Sequence, residues 1–389
     1  MSTEARVKVG IIGCGNITIN GHAPAIRRLG EISAVGLVDP VPQRRQEALT
    51  ILDLPSEAGY ASTEDMLRHA QPDYALVTVP QSLRAPIFEA CARLGVHVLT
   101  EKPVDTRPAQ GQAWADKFRE AGLTLGVVHN YLFFPEYVEL RRLLAEGAIG
   151  EVRHIALNFM GVPDKPGHAD YRPQWRHDWR QAGGGILMDM IHVAYLAEFL
   201  GRAEIRAVSA VIDNLGYPDG EVEDLALIHL YFDHGYGTIS LGWGHGPGGV
   251  EVTGSEGRIL VFYEDYGTGP FARLQEFSLI RDGVRETYDP RRGQQTDSTF
   301  LEVHRNFVVA LRSGNPPAAP ASAGLRSLAA GLAAYASAVQ GRVVALPLAV
   351  DDPVYQEGVE GLRYLPARES SPVLSRRLFG LGVKQGDQS

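Results

Sequence analysis

Cysteine is scarce in this chain: two residues, Cys14 and Cys91, among 389. Two thiols build neither a disulfide framework nor a cysteine-rich zinc site, and both stand among apolar residues or glycines, which fits a reducing cytoplasm. Net positive charge is missing too. Lys and Arg number 37 against 46 Asp and Glu, a formal charge of −9, and the basic residues form no blocks. Such a surface does not suit phosphate backbones or anionic lipid, so neither nucleic acid nor a membrane is an expected partner. No apolar run approaches the roughly 18 residues of a membrane span. The opening MSTEARVKVGIIGCG enters a strand pattern with no basic region, long apolar stretch or small-residue cleavage site ahead of it, and the expected location is the cytoplasm. The 12 histidines form neither HExxH nor another tight ligand spacing, so no catalytic metal is expected.

What is present is an ordinary globular composition, 44% hydrophobic, over a length that suggests two domains. From Arg6, strand patterns (RVKVGIIG, ISAVGLVD, DYALVTVP, VHVLTEKP, LTLGVVHN) alternate with helical ones. That alternation predicts an α/β domain over residues 1–128, a doubly wound parallel sheet of Rossmann type. Longer strand patterns then follow (EVRHIALNFMG, IRAVSAVIDN, EDLALIHLYFDHGYGTISLGW, GVEVTGSEGRILVFYED, QEFSLIRDG) with the apolar helix ILMDMIHVAYLAEFLG. They predict an α+β domain over residues 129–365 with a large, mostly antiparallel open sheet. Residues 366–389 are expected as a tail or an arm that orders against another subunit.

The first strand runs into Gly13-Cys14-Gly15-Asn16-Ile17-Thr18. Gly13 permits a tight turn, and Gly15 lets the backbone, with Asn16 and Ile17, approach a pyrophosphate at a helix start. Asp39 ends the second strand about 24 residues after Gly15, where a carboxylate accepts ribose hydroxyls and repels a 2′-phosphate. NAD is therefore expected over NADP, and Arg44 and Arg45 are expected on a solvated helix start. Pro80 and the triplet Glu101-Lys102-Pro103 follow later strands, on the edge where such sheets bind ligands. Gly183-Gly184-Gly185 precedes an apolar helix with Asp189 and His192 three positions apart, which predicts one shared face and a carboxylate that orients a proton-exchanging imidazole. The competing reading is a buried Asp–His pair satisfying backbone donors. Between 161 and 182, Tyr171, Trp175, Arg176, His177, Asp178, Trp179 and Arg180 make an aromatic, hydrogen-bonding stretch of the kind that contacts sugars. Tyr131 in His129-Asn130-Tyr131 is a further substrate candidate, while His245 and His304 read as structural.

In combination, GIIGCGNI, Asp39, TEKP, GEVRHI, GGGILMDMIH and VTGSEGRI resemble the Gfo/Idh/MocA oxidoreductase family over about residues 6 to 350. The resemblance implies a Rossmann domain with an α+β domain whose open sheet makes a homodimer or homotetramer. It also implies NAD(P)-dependent oxidation or reduction of sugars, cyclitols and related polyols. By it, Lys102 lies near the hydride-transfer centre, Asp189 and His192 are the acid/base pair, and the Lys102–Pro103 bond is cis more often than the ~5% background of X–Pro bonds. Three departures stand out. His192 follows Asp189 by three where the family has D-x-x-x-H, so a register set from His192 puts Met188 at the carboxylate position. Tyr195 stands where many members have a second Asp, and Arg84 where many have His.

The expected activity is hydride transfer between nicotinamide and a secondary hydroxyl of a sugar, glycoside or cyclitol, with His192 as proton acceptor. Two alternatives remain: a redox-neutral glycosidase, lyase or epimerase that recycles NAD through a transient ketone, and a non-catalytic dinucleotide-binding regulator.

Overall fold

The computed structural model describes residues 5–164, 174–216, 220–264, 271–293, 298–366 and 378–381. The chain divides into two compact units, Met1–Asp105 with Gln110–Phe133 and Gln295–Leu325, and Thr106–Ala109 with Phe134–Gln294 and Arg326–Ser389.

The first unit holds a six-stranded parallel sheet in the order β3-β2-β1-β4-β5-β6. Its strands are β1 (Val7–Ile12), β2 (Ile32–Val38), β3 (Gly59–Tyr60), β4 (Tyr74–Val77), β5 (His97–Thr100) and β6 (Leu125–Val127). The order reverses between β1 and β4, which is the switch point where open α/β sheets take their ligands. Alternate residues of these strands point to opposite faces. Val9, Ile11 and Leu76 join one apolar cluster, and Ile12, Val77 and Val98 join the other with Phe88, Trp114 and Phe118. The first cluster also contains Phe300, Val303, Phe307 and Val308. These belong to the helix Ser298–Ser313, so the sequence expectation of a first domain that stops at residue 128 omits a helix that completes its core.

The second unit holds a nine-stranded sheet in the order β14-β13-β12-β11-β7-β10-β9-β8-β15, in which β7 and β10 are parallel and the other pairs antiparallel. The strands are β7 (Val152–Val162), β8 (Ala207–Asp213), β9 (Leu225–Tyr231), β10 (Tyr236–Trp243), β11 (Gly248–Gly254), β12 (Gly257–Tyr263), β13 (Leu274–Arg281), β14 (Val284–Thr287) and β15 (Val344–Ala345). On β9, Ala226, Ile228 and Leu230 are buried while Leu227 and His229 are exposed, the alternation of a sheet packed on one face. The packed face meets the helices Ile186–Asp189 and His192–Gly201. Sequence reasoning misses β3 and β14. The first is two residues long and begins with glycine, and the second is exposed throughout, so neither leaves an alternating pattern.

The expectation of a C-terminal arm ordering against another subunit is corrected for residues 378–381. Phe379 is buried, its N–H donates to the Glu221 carbonyl at 2.8 Å, and its ring meets Tyr335 edge-on at 4.8 Å between centroids. This part of the segment docks on its own second unit. Residues 367–377 and 382–389 lie outside the described residues.

Candidate functional site

In the first unit, β1 ends at Ile12 and the chain turns at Gly13, whose φ of +101° suits glycine; a Cβ there would lie 2.8 Å from Thr78 Oγ1. A Cβ at Gly15 would meet nothing within 4 Å. Where the dinucleotide fingerprint has a third glycine stands Thr18, fully buried, with its hydroxyl 2.8 Å from the Gly13 carbonyl and 2.8 Å from Thr78 Oγ1. The helix begins with a π-helical turn, Thr18–His22, before Ala23–Arg28. Ile17, just ahead of it, is exposed and Asn16 half-buried. Asp39 receives the Cys14 N–H at 2.7 Å on one oxygen and the Val41 N–H at 2.8 Å on the other. Each oxygen keeps a second lone pair. An open glycine turn beside a carboxylate with spare acceptor capacity fits a dinucleotide. Arg45, expected in solvent, instead donates to the Asp39 carbonyl at 2.5 Å. Burial and the neighbouring Asp39 push the Cys14 thiol up to about 12, leaving it a packing group.

Beyond β5 the chain makes the Glu101-Lys102-Pro103 corner, with a cis Lys102–Pro103 bond. Glu101 accepts from His22 Nε2 at 3.1 Å and from the Lys102 backbone N–H at 3.1 Å. Burial opposes its charge, but the His22 hydrogen bond and the charges of Lys102 and Arg84 outweigh it and hold this carboxyl below the usual range. Arg84 is buried and ties three carbonyls together: Val79 at 3.0 Å, Glu101 at 2.6 Å, and Pro103. Arg84 thus clamps the corner. Lys102 and Pro80 are half-buried, whereas Tyr131 is only 3% exposed. Burial drives the neighbouring His129 down to about 3, so its imidazole is neutral.

In the second unit, Gly183 and Gly184 have φ of +79° and +156°. A Cβ on Gly184 would stand 2.0 Å from the Tyr335 hydroxyl, and one on Gly185 would stand 2.1 Å from the Glu223 carbonyl. Gly184 is there because the Tyr335 hydroxyl comes so close, and Gly185 because Glu223 does. Its carboxylate accepts the Gly185 N–H at 2.8 Å and the Leu187 N–H at 2.9 Å, and its carbonyl accepts the Ile186 N–H at 3.1 Å. Tyr335 donates to the same carboxylate at 2.7 Å. Burial pushes the Glu223 carboxyl up to about 7 against the pull of these donors. Sequence reasoning misses Glu223 and Tyr335. The triple glycine signals a close approach but does not name what approaches.

The expected single helix face for Asp189 and His192 is corrected. Asp189 ends the helix Ile186–Asp189, Met190 leaves helical geometry (φ −104°, ψ 26°), and His192 starts the next helix across a 41° bend. The i, i+3 geometry of one continuous helix therefore does not relate the two side chains. The Asp189 carboxylate pairs with the Arg176 guanidinium. His192 is 7% exposed. His177 Nε2 lies 2.8 Å from Asp164 Oδ1, with its ring 5.0 Å from that of Trp243, and the Arg176 guanidinium lies 5.4 Å from the Trp175 ring centre. The Trp175–His177 turn and Asp189 are thus one cluster. Tyr171 lies outside the described residues. Tyr195 is buried, which pushes its hydroxyl up to about 12. Among the described residues, no group of three or more His, Cys, Asp or Glu is placed to hold a metal ion.

Comparison with known proteins agrees with this fold. Residues 7–129 match an oxidoreductase family with an NAD-binding Rossmann fold, and residues 137–260 match the GFO/IDH/MocA C-terminal domain. A dTDP-3,4-didehydro-2,6-dideoxy-alpha-D-glucose 3-reductase of Streptomyces violaceoruber is 28% identical over 304 residues, covering 76% of this chain and 83% of that protein. A myo-inositol 2-dehydrogenase of Thermotoga maritima is 25% identical over 365 residues, covering 87% and 98%. The solved aldose-aldose oxidoreductase of Caulobacter crescentus has the same fold, with a TM-score of 0.75 at 24% identity over 88% of this chain and 100% of that one. With the Rossmann and C-terminal models both matched in order, this chain belongs to the Gfo/Idh/MocA family of NAD-binding oxidoreductases.

Proposed function

We propose that this protein is an NAD-dependent oxidoreductase acting on a secondary hydroxyl of a sugar, glycoside or cyclitol. The observation that carries the proposal is the first unit's sheet edge: the Gly13 turn after β1, Pro80 beyond β4 and the Glu101-Lys102-Pro103 corner after β5 follow the carboxyl ends of three adjacent strands at the switch point. Gly13, Gly15, Asn16 and Ile17 would hold a pyrophosphate and Asp39 a ribose, which favours NAD over NADP; Pro80, Glu101 and Lys102 would border the nicotinamide. NAD supplies the hydride acceptor when bound. Lys102 hydrogen-bonds the reacting oxygen, and His192 takes the hydroxyl proton. Asp189, anchored by Arg176, sets the position of the helix break ahead of His192. Tyr131, Trp175, Arg176 and His177 supply the aromatic faces and polar groups that a polyol needs. The relatives named above act on a nucleotide-linked deoxysugar and on an inositol, which supports this substrate class. The second unit's outer sheet face, with Leu227, Val211, Tyr236 and Phe262 exposed, is the proposed homodimer or homotetramer contact.

The test is NADH absorbance on a panel of sugars, glycosides and inositols, with products followed in parallel. A rise with one substrate is the expected outcome. Product formed without net NADH would replace this reading with a redox-neutral one.

A further inference from the structure

Four buried side chains of the first unit form one hydrogen-bonded line. The Tyr74 hydroxyl lies 2.9 Å from His304 Nδ1, His304 Nε2 lies 3.0 Å from His22 Nδ1, and His22 Nε2 lies 3.1 Å from Glu101 Oε1. Tyr74, His304 and His22 are each 0% exposed. They come from β4, the helix Ser298–Ser313 and the Thr18–His22 turn, and they meet at the corner after β5.

A neutral imidazole has one N–H and one acceptor nitrogen, so the line has a direction. With Glu101 ionised and both imidazoles neutral, His22 donates from Nε2 to Glu101 and accepts at Nδ1 from His304 Nε2–H. His304 then accepts at Nδ1 from the Tyr74 hydroxyl. Every donor and acceptor along the line is used once. If His22 took a second proton, both of its nitrogens would donate. His304 would have to shift its own proton to Nδ1, and Tyr74 would have to accept there and turn its O–H elsewhere. His304 is its one hydrogen-bond partner among the described residues, and Phe307 packs against its ring at 5.2 Å. An unpaired buried hydroxyl disfavours that state by about tenfold or more.

We infer that Tyr74 and His304 are positioning residues that keep His22 a neutral, Nε2-protonated donor, and that His22 in turn fixes the Glu101 carboxylate beneath the Lys102 backbone N–H. Burial holds His304 well below the usual imidazole range, in keeping with a neutral ring. The groups facing the line are Glu101 and Lys102 on the corner, Arg84 on the helix Arg84–Leu94, His129 beyond β6, and Phe300 at 4.8 Å from the His22 ring. This deepens the reading of Lys102 given above, and its kinetic arm rests on that reading.

The test is long-range 1H–15N correlation on the full-length protein labelled at histidine, with and without NAD. At neutral pH, His22 and His304 are both expected as Nε2-protonated tautomers. A proton on His304 Nδ1, or an imidazolium at His22, would overturn the inference whatever the enzyme does. Tyr74→Phe removes the end donor and should mix the His304 tautomers, lower kcat about tenfold, and leave the Kd for NAD unchanged. His304→Gln keeps a donor towards His22 and should retain far more kcat than His304→Leu. Equal loss in both, or wild-type tautomers in Tyr74→Phe, refutes positioning. If Lys102→Ala stays active while the tautomers are as stated, the role of Lys102 falls and the line stands; if Lys102→Ala is inactive and Tyr74→Phe is unaffected, the line is packing alone. Should Tyr74→Phe fail to fold, the wild-type tautomers decide.

Discussion

The Tyr335 hydroxyl donates to Glu223 Oε1 at 2.7 Å, so the carboxylate beneath the Gly183–Gly185 turn is itself held in place. Glu223 then binds three successive N–H groups, those of Gly185, Ile186 and Leu187, with its carboxylate and carbonyl. These are the donors that a helix start leaves unpaired. The short helix leading to Asp189 is capped from another part of the chain rather than by its own preceding residue.

Glu223→Gln should change how stability depends on pH. The folded value of about 7 stands above the ordinary 4.5, so between these values the folded protein keeps a proton that the unfolded chain has lost. Stability therefore falls as pH rises through this window, by about 3 kcal/mol in all, and levels off above it. His129, held at about 3 instead of 6.5, works the other way: as pH drops from 6.5, the unfolded chain takes the proton first and stability is lost. The two windows overlap, so the readout is the difference in Tm between wild type and E223Q. That difference should move in favour of E223Q as pH rises from 4.5 to 7; parallel curves would mean that Glu223 does not titrate there.

With Lys102 in its proposed role at the reacting oxygen, Lys102→Ala should lower kcat by roughly 10²–10⁴-fold while the Kd for NAD changes by less than about threefold. Stopped-flow hydride transfer with titration of NAD by fluorescence separates the two. Unchanged turnover would remove Lys102 from the mechanism.

With Asp39 in its proposed place at the ribose, Asp39→Ala should narrow the proposed preference for NAD over NADP by about tenfold, since a carboxylate there repels a 2′-phosphate. Asp39 also holds the Cys14 and Val41 N–H groups, so Asp39→Asn serves as the control that keeps an acceptor. The ratio of Kd values for the two cofactors is the quantity to follow. A ratio equal to that of wild type would place the ribose contact elsewhere.

Phe379→Ala empties a buried position against Tyr335 and should cost about 3–5 kcal/mol by urea unfolding. A loss below about 1 kcal/mol would mean that the segment docks only loosely.

The glycine turn and Asp39 were legible because their signal is local: a strand, a turn and a second strand end within one βαβ unit. The five strands of the first sheet other than β3 were legible for the same reason. Glu223 was not, since in GEVEDL it reads as a solvated acid, and its backbone partners stand 36 to 38 positions away and Tyr335 112. His304 reads as structural because nothing near it in sequence reveals Tyr74 or His22. The break at Met190 was hidden because both of its flanks are equally apolar, and periodicity does not record a 41° bend. Arg84 was visible as a departure, but its three carbonyl partners depend on how the chain folds around Pro103.

The helix Ser298–Ser313 lends its aromatic residues to the first unit's core, and this fixes when that core is complete during synthesis. A ribosome that has finished Phe133 has made all six strands but not Phe300, His304 or Phe307. Those emerge roughly 170 residues later, about 8–34 s at usual elongation rates. Meanwhile the nascent sheet carries an uncovered apolar face, and the second unit is translated in that interval. The cofactor-binding half, though encoded first, closes only after most of its neighbour exists, so an early stop anywhere before residue 313 leaves both an unfinished product and a surface for chaperones to bind.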